Sequence, residues 1–226
     1  MNTKRIIFWS SFVIIIALII WGLIAAMNKT PGTTSKAGVP APVTSQDNVR
    51  GNPDAPVTLI EYGDFQCPAC ATYSYYVEKL YSEASSSMRT VFRHFPLDDV
   101  LPTGGVQHPN ADGAAAVAEA AGAQGKFWDM YSLLYSFQND WAEKPPAEAK
   151  SIFEGYGAKL GLDMTKFKND EVASSTTSKI AAQKAEGVAI GINHTPSFFL
   201  NGKEVSPNNY DEFKTLIDQA ITNATK

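Results

Sequence analysis

The chain has 226 residues, of which 44% are apolar, 11% aromatic and 19% charged, and its formal net charge is −4. That composition excludes a disordered or collagen-like chain, and the acidic balance excludes a basic nucleic-acid footprint. Its two cysteines, Cys67 and Cys70, are too few for a multi-disulfide scaffold or a four-cysteine zinc site.

Residues 6–27 read IIFWSSFVIIIALIIWGLIAAM and carry no charge. A helix of about 20 residues crosses a hydrocarbon core of about 30 Å. The run is longer than the apolar stretch of about 7–15 residues in a cleaved signal peptide. Ala25-Ala26-Met27 also makes a weak cleavage site, so an uncleaved single-pass transmembrane anchor is expected. Lys4 and Arg5 precede the run and Lys29 follows it. The positive-inside rule then puts residues 1–5 in the cytoplasm and the bulk of the chain outside the cell membrane. Residues 28–48 are rich in Pro, Gly, Ser and Thr and show no hydrophobic period, which predicts a flexible linker. Residues 49–226 are left for one domain.

Pro56 to Tyr62 is β-branched and aromatic and predicts a strand, with Gly63 after it. From Pro68 to about Ala84 the period becomes helical, with Tyr73, Tyr76, Val77 and Leu80 on one face. Pro68 suits the first helical position, where a missing N–H costs nothing. Arg89 to Phe95 predicts a second strand. Strand, helix and strand make a right-handed unit with a parallel pair. Helices are then expected at Ala111–Ala121, Lys126–Phe137, Ala147–Leu160 and Met164–Val188. Ser197–Leu200 and Lys203–Val205 flank Asn201-Gly202, a strong hairpin signal. Tyr210 to Thr222 predicts a last helix. The fold class is α/β, with a helical insertion over about 108–190.

Chemistry concentrates at Cys67-Pro68-Ala69-Cys70. At a helix N-terminus the free N–H groups and the dipole favour a thiolate on Cys67. Cys70 lies one turn inward, less exposed and within reach of the first sulfur. Client thiolates could therefore exchange with a Cys67–Cys70 disulfide. A metal site would want further soft ligands, and His94, His108 and His194 lack a ligand spacing. A structural disulfide would close too short a loop to constrain the unfolded chain much. Redox exchange outside the cytoplasm is the expected role, with no metal or cofactor. Glu61 shares a strand face with Val57 and Leu59, which allows it to be buried. Asp64 is expected only to favour the helix dipole, and His94 and His108 to be structural. His194 is a weak candidate for a group near the thiols.

Asp54-Ala55-Pro56-Val57-Thr58-Leu59-Ile60-Glu61-Tyr62 leads into Asp64-Phe65-Gln66-Cys67-Pro68-Ala69-Cys70. Phe92-Arg93-His94-Phe95-Pro96-Leu97 and Thr195-Pro196-Ser197-Phe198-Phe199-Leu200-Asn201-Gly202 follow later. From about Asn52 onward this resembles the DsbA-like thiol–disulfide oxidoreductases of the thioredoxin superfamily, in their membrane-tethered bacterial form. The resemblance implies a thioredoxin fold with a helical insertion. It implies a cis-proline loop at Thr195-Pro196 that faces the cysteines and pairs with client peptides. It also implies a buried acid at Glu61 that relays protons to the inner thiol. Partners would be secreted client proteins and a quinone-linked recycling enzyme of DsbB or vitamin-K-epoxide-reductase type, and a monomer is expected. The chain departs from the strongly oxidising members, which carry His between the cysteines where this one has Pro68-Ala69. Client reduction or isomerisation, and a tethered client-binding module with a structural disulfide, are the competing readings.

Overall fold

The computed structural model describes residues 38–99 and 107–224. The expected cytoplasmic stretch, the anchor at 6–27 and the start of the linker lie outside the described residues. Among the described residues no helix is long and apolar enough to cross a membrane.

Among the described residues five strands form one sheet: β1 Asn48–Gly51, β2 Val57–Gly63, β3 Met88–His94, β4 Ser197–Leu200 and β5 Lys203–Val205. Their order is β1-β3-β2-β4-β5. β2 and β3 run parallel, from Val57 opposite Met88 to Gly63 opposite His94, and α1 (Pro68–Ala84) connects them. The other pairs are antiparallel. β2 and β3 are buried on both faces, which is why they read as nearly continuous apolar runs. The β4–β5 hairpin turns through Asn201 and Gly202, both at positive φ, as the dipeptide predicts. Asn201 Oδ1 accepts from the Thr58 N–H at 2.7 Å and ties the turn to β2.

Among the described residues six helices lie between β3 and β4: α2 Ala111–Gly122, α3 Phe127–Ser136, α4 Gln138–Trp141, α5 Pro146–Lys159, α6 Met164–Glu171 and α7 Ser174–Ala189. Helix α8 (Tyr210–Ala224) ends the described chain. α1 and α8 pack on one sheet face through Val57, Leu59, Val77, Leu80, Phe198, Phe213 and Ile217. The helical block closes over the same face further along, around Phe92, Met130, Tyr131, Leu134 and Trp141. The alanines of α2 are small enough for its neighbours to approach closely.

Three expectations about elements need correction. The helix expected over 164–188 is two helices. Ala173 is extended there (φ −65°, ψ 141°), and the Thr176 hydroxyl donates to the Asp170 carbonyl at 2.7 Å. Ser and Thr hydroxyls compete in this way with helix continuation. The short α4 was not legible as an element. The third correction concerns the linker. Its described part, from Gly38 to Asn48, lies against the domain, and β1 begins inside it. Gly38 N–H donates to the Ile190 carbonyl at 2.6 Å and Ala41 N–H to Glu186 Oε1 at 2.7 Å. The cause is Arg93, which β3 projects into the opposite sheet face, where it is buried. Its guanidinium needs acceptors and finds Asp47 at 2.8 Å, Glu186 at 3.0 Å, the Tyr62 hydroxyl at 3.0 Å and the Ala41 carbonyl at 3.1 Å. Val43 and Ile190 complete the apolar cover over Ile60, Val91 and Phe199.

Candidate active site

β2 ends at Gly63, and the chain turns through Asp64, Phe65 and Gln66 into α1. Gly63 is required there, because a Cβ would lie 2.5 Å from the Phe92 ring and 3.1 Å from Glu61 Oε1. Cys67 occupies the N-cap in an extended conformation (φ −72°, ψ 123°), and its N–H donates to the Asp64 carbonyl at 3.1 Å. Pro68 follows at the first helical position. Both cysteines are free thiols. Cys70 is fully buried and Cys67 is 7% exposed, while Pro68 and Ala69 face solvent.

The two sulfurs are electrostatically unlike. The Cys70 thiol donates to Cys67 and holds it down to about 5, far below an ordinary thiol. Burial opposes this, and the Thr195 hydroxyl and the N–H groups of Cys70 and Ala69 assist it. The Thr195 hydroxyl is buried and has no hydrogen-bond partner among the described residues, which leaves it free to turn toward a Cys67 thiolate. Burial drives Cys70 well above the ordinary range, and the neighbouring Cys67 charge adds to the rise. One sulfur is therefore a thiolate at neutral pH and the other a thiol.

Glu61 stands behind the pair, fully buried on β2. Its Oε2 accepts from the Tyr131 hydroxyl at 3.1 Å, and its Oε1 has no hydrogen-bond partner among the described residues. Burial pushes this carboxyl up to about 8, against the Tyr131 hydrogen bond and the pull of Arg50. Arg50 is sandwiched 4.1 Å from the Trp128 ring and 4.4 Å from the Tyr81 ring, and pairs with Glu78 at 2.7 Å. Burial holds both Glu61 and Cys70 neutral in one dry region, and the Glu61 charge adds to the rise of Cys70.

Thr195-Pro196 is a cis peptide, and the Thr195 carbonyl lies 3.6 Å from Cys67 Sγ. The loop therefore faces the dithiol. Beside it opens a cavity of about 250 Å³, lined by Tyr73, Thr195, Pro196, Phe198, Val205 and Pro207. His194 is exposed on this loop, and its ring meets Asn193 at 3.0 Å. His94 is structural in its contacts, with Nε2 2.7 Å from Glu119 in a cage of Phe65, Phe92 and Phe127.

Asp64 does more than favour the helix dipole, which corrects the sequence expectation. It is buried and braces the loop: Oδ1 accepts from Gln66 N–H at 2.7 Å and Oδ2 from Leu97 N–H at 2.8 Å, with His108 Nδ1 at 2.6 Å. Sequence reasoning missed the rest of this brace. Gln138 Nε2 donates to the Phe65 and Cys67 carbonyls at 2.7 and 3.0 Å. Gln66 bridges the Ala142 carbonyl and the Asn110 N–H, and Asn110 reaches the Lys144 carbonyl. These partners lie 34 to 76 residues apart along the chain, so no local pattern could have paired them.

The family model described as Thioredoxin matches residues 44–219, and the chain belongs to that family. In structure it is similar to alpha-DsbA1 of Wolbachia pipientis, with a TM-score of 0.70 and 20% identity over 81% of this chain and 94% of that one. Oxidised BdbD of Bacillus subtilis gives 0.68 and 21% over 83% and 99%. In sequence it is 39% identical over 159 residues to the Na(+)/H(+) antiporter NhaA 1 of Salinispora arenicola, which is 70% of this chain and 22% of that protein. The chain spans about a quarter of the length of the curated relatives it matches, or less. The thioredoxin fold thus sets a Cys-x-x-Cys pair at a helix N-terminus, one sulfur a thiolate and the other a buried thiol, an arrangement suited to thiol–disulfide exchange.

Proposed function

We propose that the protein forms disulfides in client proteins outside the cytoplasm, held at the membrane by residues 6–27. The observation that carries the direction is the split between the two cysteines. A thiolate held at about 5 stabilises the dithiol form, and a stabilised reduced form makes an oxidant.

A client thiolate attacks Cys67 Sγ in the Cys67–Cys70 disulfide. The Cys70 sulfur leaves with the electron pair and takes a proton from the Glu61 carboxyl. A mixed disulfide joins the client to Cys67. A second client thiolate attacks the client sulfur of that bond, and Cys67 leaves as a stable thiolate. The client loses two electrons and gains a disulfide, and the enzyme gains two electrons and keeps one proton, on Cys70. The second proton goes to solvent, from which Glu61 is recharged. The Thr195-Pro196 loop supports a client-binding role, since it faces Cys67 beside an open cavity. Renewing the disulfide requires an oxidant, proposed as a quinone-linked membrane enzyme of DsbB or vitamin-K-epoxide-reductase type.

The test is the reduction potential of the isolated domain against glutathione. A value near about −120 mV supports client oxidation, and one near about −270 mV overturns it in favour of reduction. Cys67→Ser should abolish oxidation of a reduced peptide, and Cys70→Ser should accumulate the mixed disulfide. Labelling Cys67 in intact cells with a membrane-impermeant thiol reagent tests the placement, and protection until lysis would refute it.

A further inference from the structure

We propose that His108 is a positioning residue for the redox step: it cancels the charge of the buried Asp64 carboxylate, so that the Cys67 thiolate forms without a second uncompensated anion beside it. The inference rests on the dithiol reading above and adds to it a source of the thiolate's stability.

The geometry is specific. Asp64 lies three residues before Cys67 and accepts the Cys67 N–H through its own carbonyl at 3.1 Å. Its side chain is completely buried. The two backbone N–H groups that bind it, from Gln66 and Leu97, are neutral. The ionisable partner on its carboxylate is His108, Nδ1 to Oδ2 at 2.6 Å. His108 is fixed in turn by its own N–H to the Leu97 carbonyl at 3.1 Å. Neither Pro68 nor Ala69 can supply a cation to Cys67.

The charged groups that act on His108 are Asp64, Cys67 and Glu143, and all three favour its protonated form. The Asp64 hydrogen bond is the largest of these effects and holds the imidazole above its ordinary range. Because coupling is reciprocal, whatever the Cys67 thiolate does for the imidazolium, the imidazolium does for the thiolate. Asp112 also feels Asp64, although its own strongest charged neighbours are Asp98 and Lys184.

Two variants separate charge from packing. His108→Gln keeps a donor for Asp64 and deletes the charge, and His108→Lys keeps a charge that does not titrate near neutrality. Titrating Cys67 by the ultraviolet absorbance of its thiolate should show the midpoint moved to higher pH in His108→Gln, to a proton concentration about tenfold lower. In His108→Lys it should stay close to wild type. Equal shifts in both variants, or none in His108→Gln, overturn the proposal. An independent readout needs no variant. The His108 imidazole, followed by NMR in the wild-type protein, should titrate higher in the dithiol form than in the disulfide form. The same midpoint in both forms would overturn it. Loss of oxidase activity in Cys67→Ser with these shifts absent would leave the redox reading intact and remove only the role of His108.

Discussion

Lowering the pH from neutral to about 5 should erase most of the stability advantage of the reduced protein over the oxidised one. Cys67 is lowered from an ordinary thiol value of 9.0 to about 5. For an acid whose value falls on folding, the stabilisation is complete above the unfolded value and is lost as pH falls through the folded one. At pH about 7 two of those four units are expressed, worth roughly 3 kcal/mol at about 1.36 kcal/mol per unit. At pH about 5 the group is half protonated and less than about 1 kcal/mol remains. The difference of about 2 kcal/mol corresponds to about 50 mV in a two-electron couple. The assay is denaturant unfolding of both redox forms at the two pH values, with the disulfide form as the internal reference. Cross-link entropy is the same at both pH values and most other titrations are shared by the two forms, so the change in their difference isolates the thiolate. A reduced-minus-oxidised difference that is the same at both pH values would refute the assignment of a stabilised thiolate to Cys67.

The carboxyl of Glu61 is raised from 4.5 to about 8, so folding takes up a proton and the protein loses stability as pH rises between those values. Glu61→Gln should flatten that slope in denaturant titrations while slowing departure of Cys70 about 100-fold in stopped-flow exchange with a reduced peptide. Arg93→Met should cost about 3–5 kcal/mol and lower the melting temperature by about 10 °C, because it strands the buried Asp47 carboxylate. Hydrogen exchange should then show residues 38–47 losing protection before the sheet does. Gln138→Leu removes both donors from the Phe65 and Cys67 carbonyls. A cost of about 1–3 kcal/mol is expected in thermal unfolding, together with a raised Cys67 titration midpoint.

Periodicity and turn chemistry carried most of the fold. β2, α1 and β3 follow from a β-branched run, a proline at a helix start and a second run ended by Pro96, and the hairpin follows from Asn201-Gly202. Cys67 and Cys70 were legible because their spacing means something only at a helix N-terminus. Glu61 was legible as a candidate through strand alternation, but its raised value comes from burial under the closed helical block, which no local window contains. β1 was hidden inside a Pro- and Ser-rich stretch, because Arg93, not the composition of that stretch, draws it onto the domain. Asp64 was misjudged for the same reason: its partners Leu97 and His108 arrive from a loop more than thirty residues away.

The helical block is best understood from the loop it braces. Tyr135 and Gln138 hold the backbone carbonyls of Asp64, Phe65 and Cys67 with buried side-chain hydrogen bonds, and the Gln66 side chain ties the same loop to the Ala142 carbonyl and the Asn110 N–H. Such bonds are individually modest, yet a carbonyl left unmatched in that setting is costly, so the loop has one acceptable conformation. The rigidity has a chemical consequence. A thiolate at Cys67 is stabilised by donors fixed before it forms, namely the Cys70 thiol, the Thr195 hydroxyl and the first N–H groups of α1. Donors that need no reorganisation give their full effect when charge develops on a leaving sulfur. Cys70 and Glu61, held neutral in the same dry region, add no competing charge at that moment. The asymmetry of the two sulfurs is therefore a property of the whole domain: α1 supplies one part of it, and the helical block keeps the rest in place.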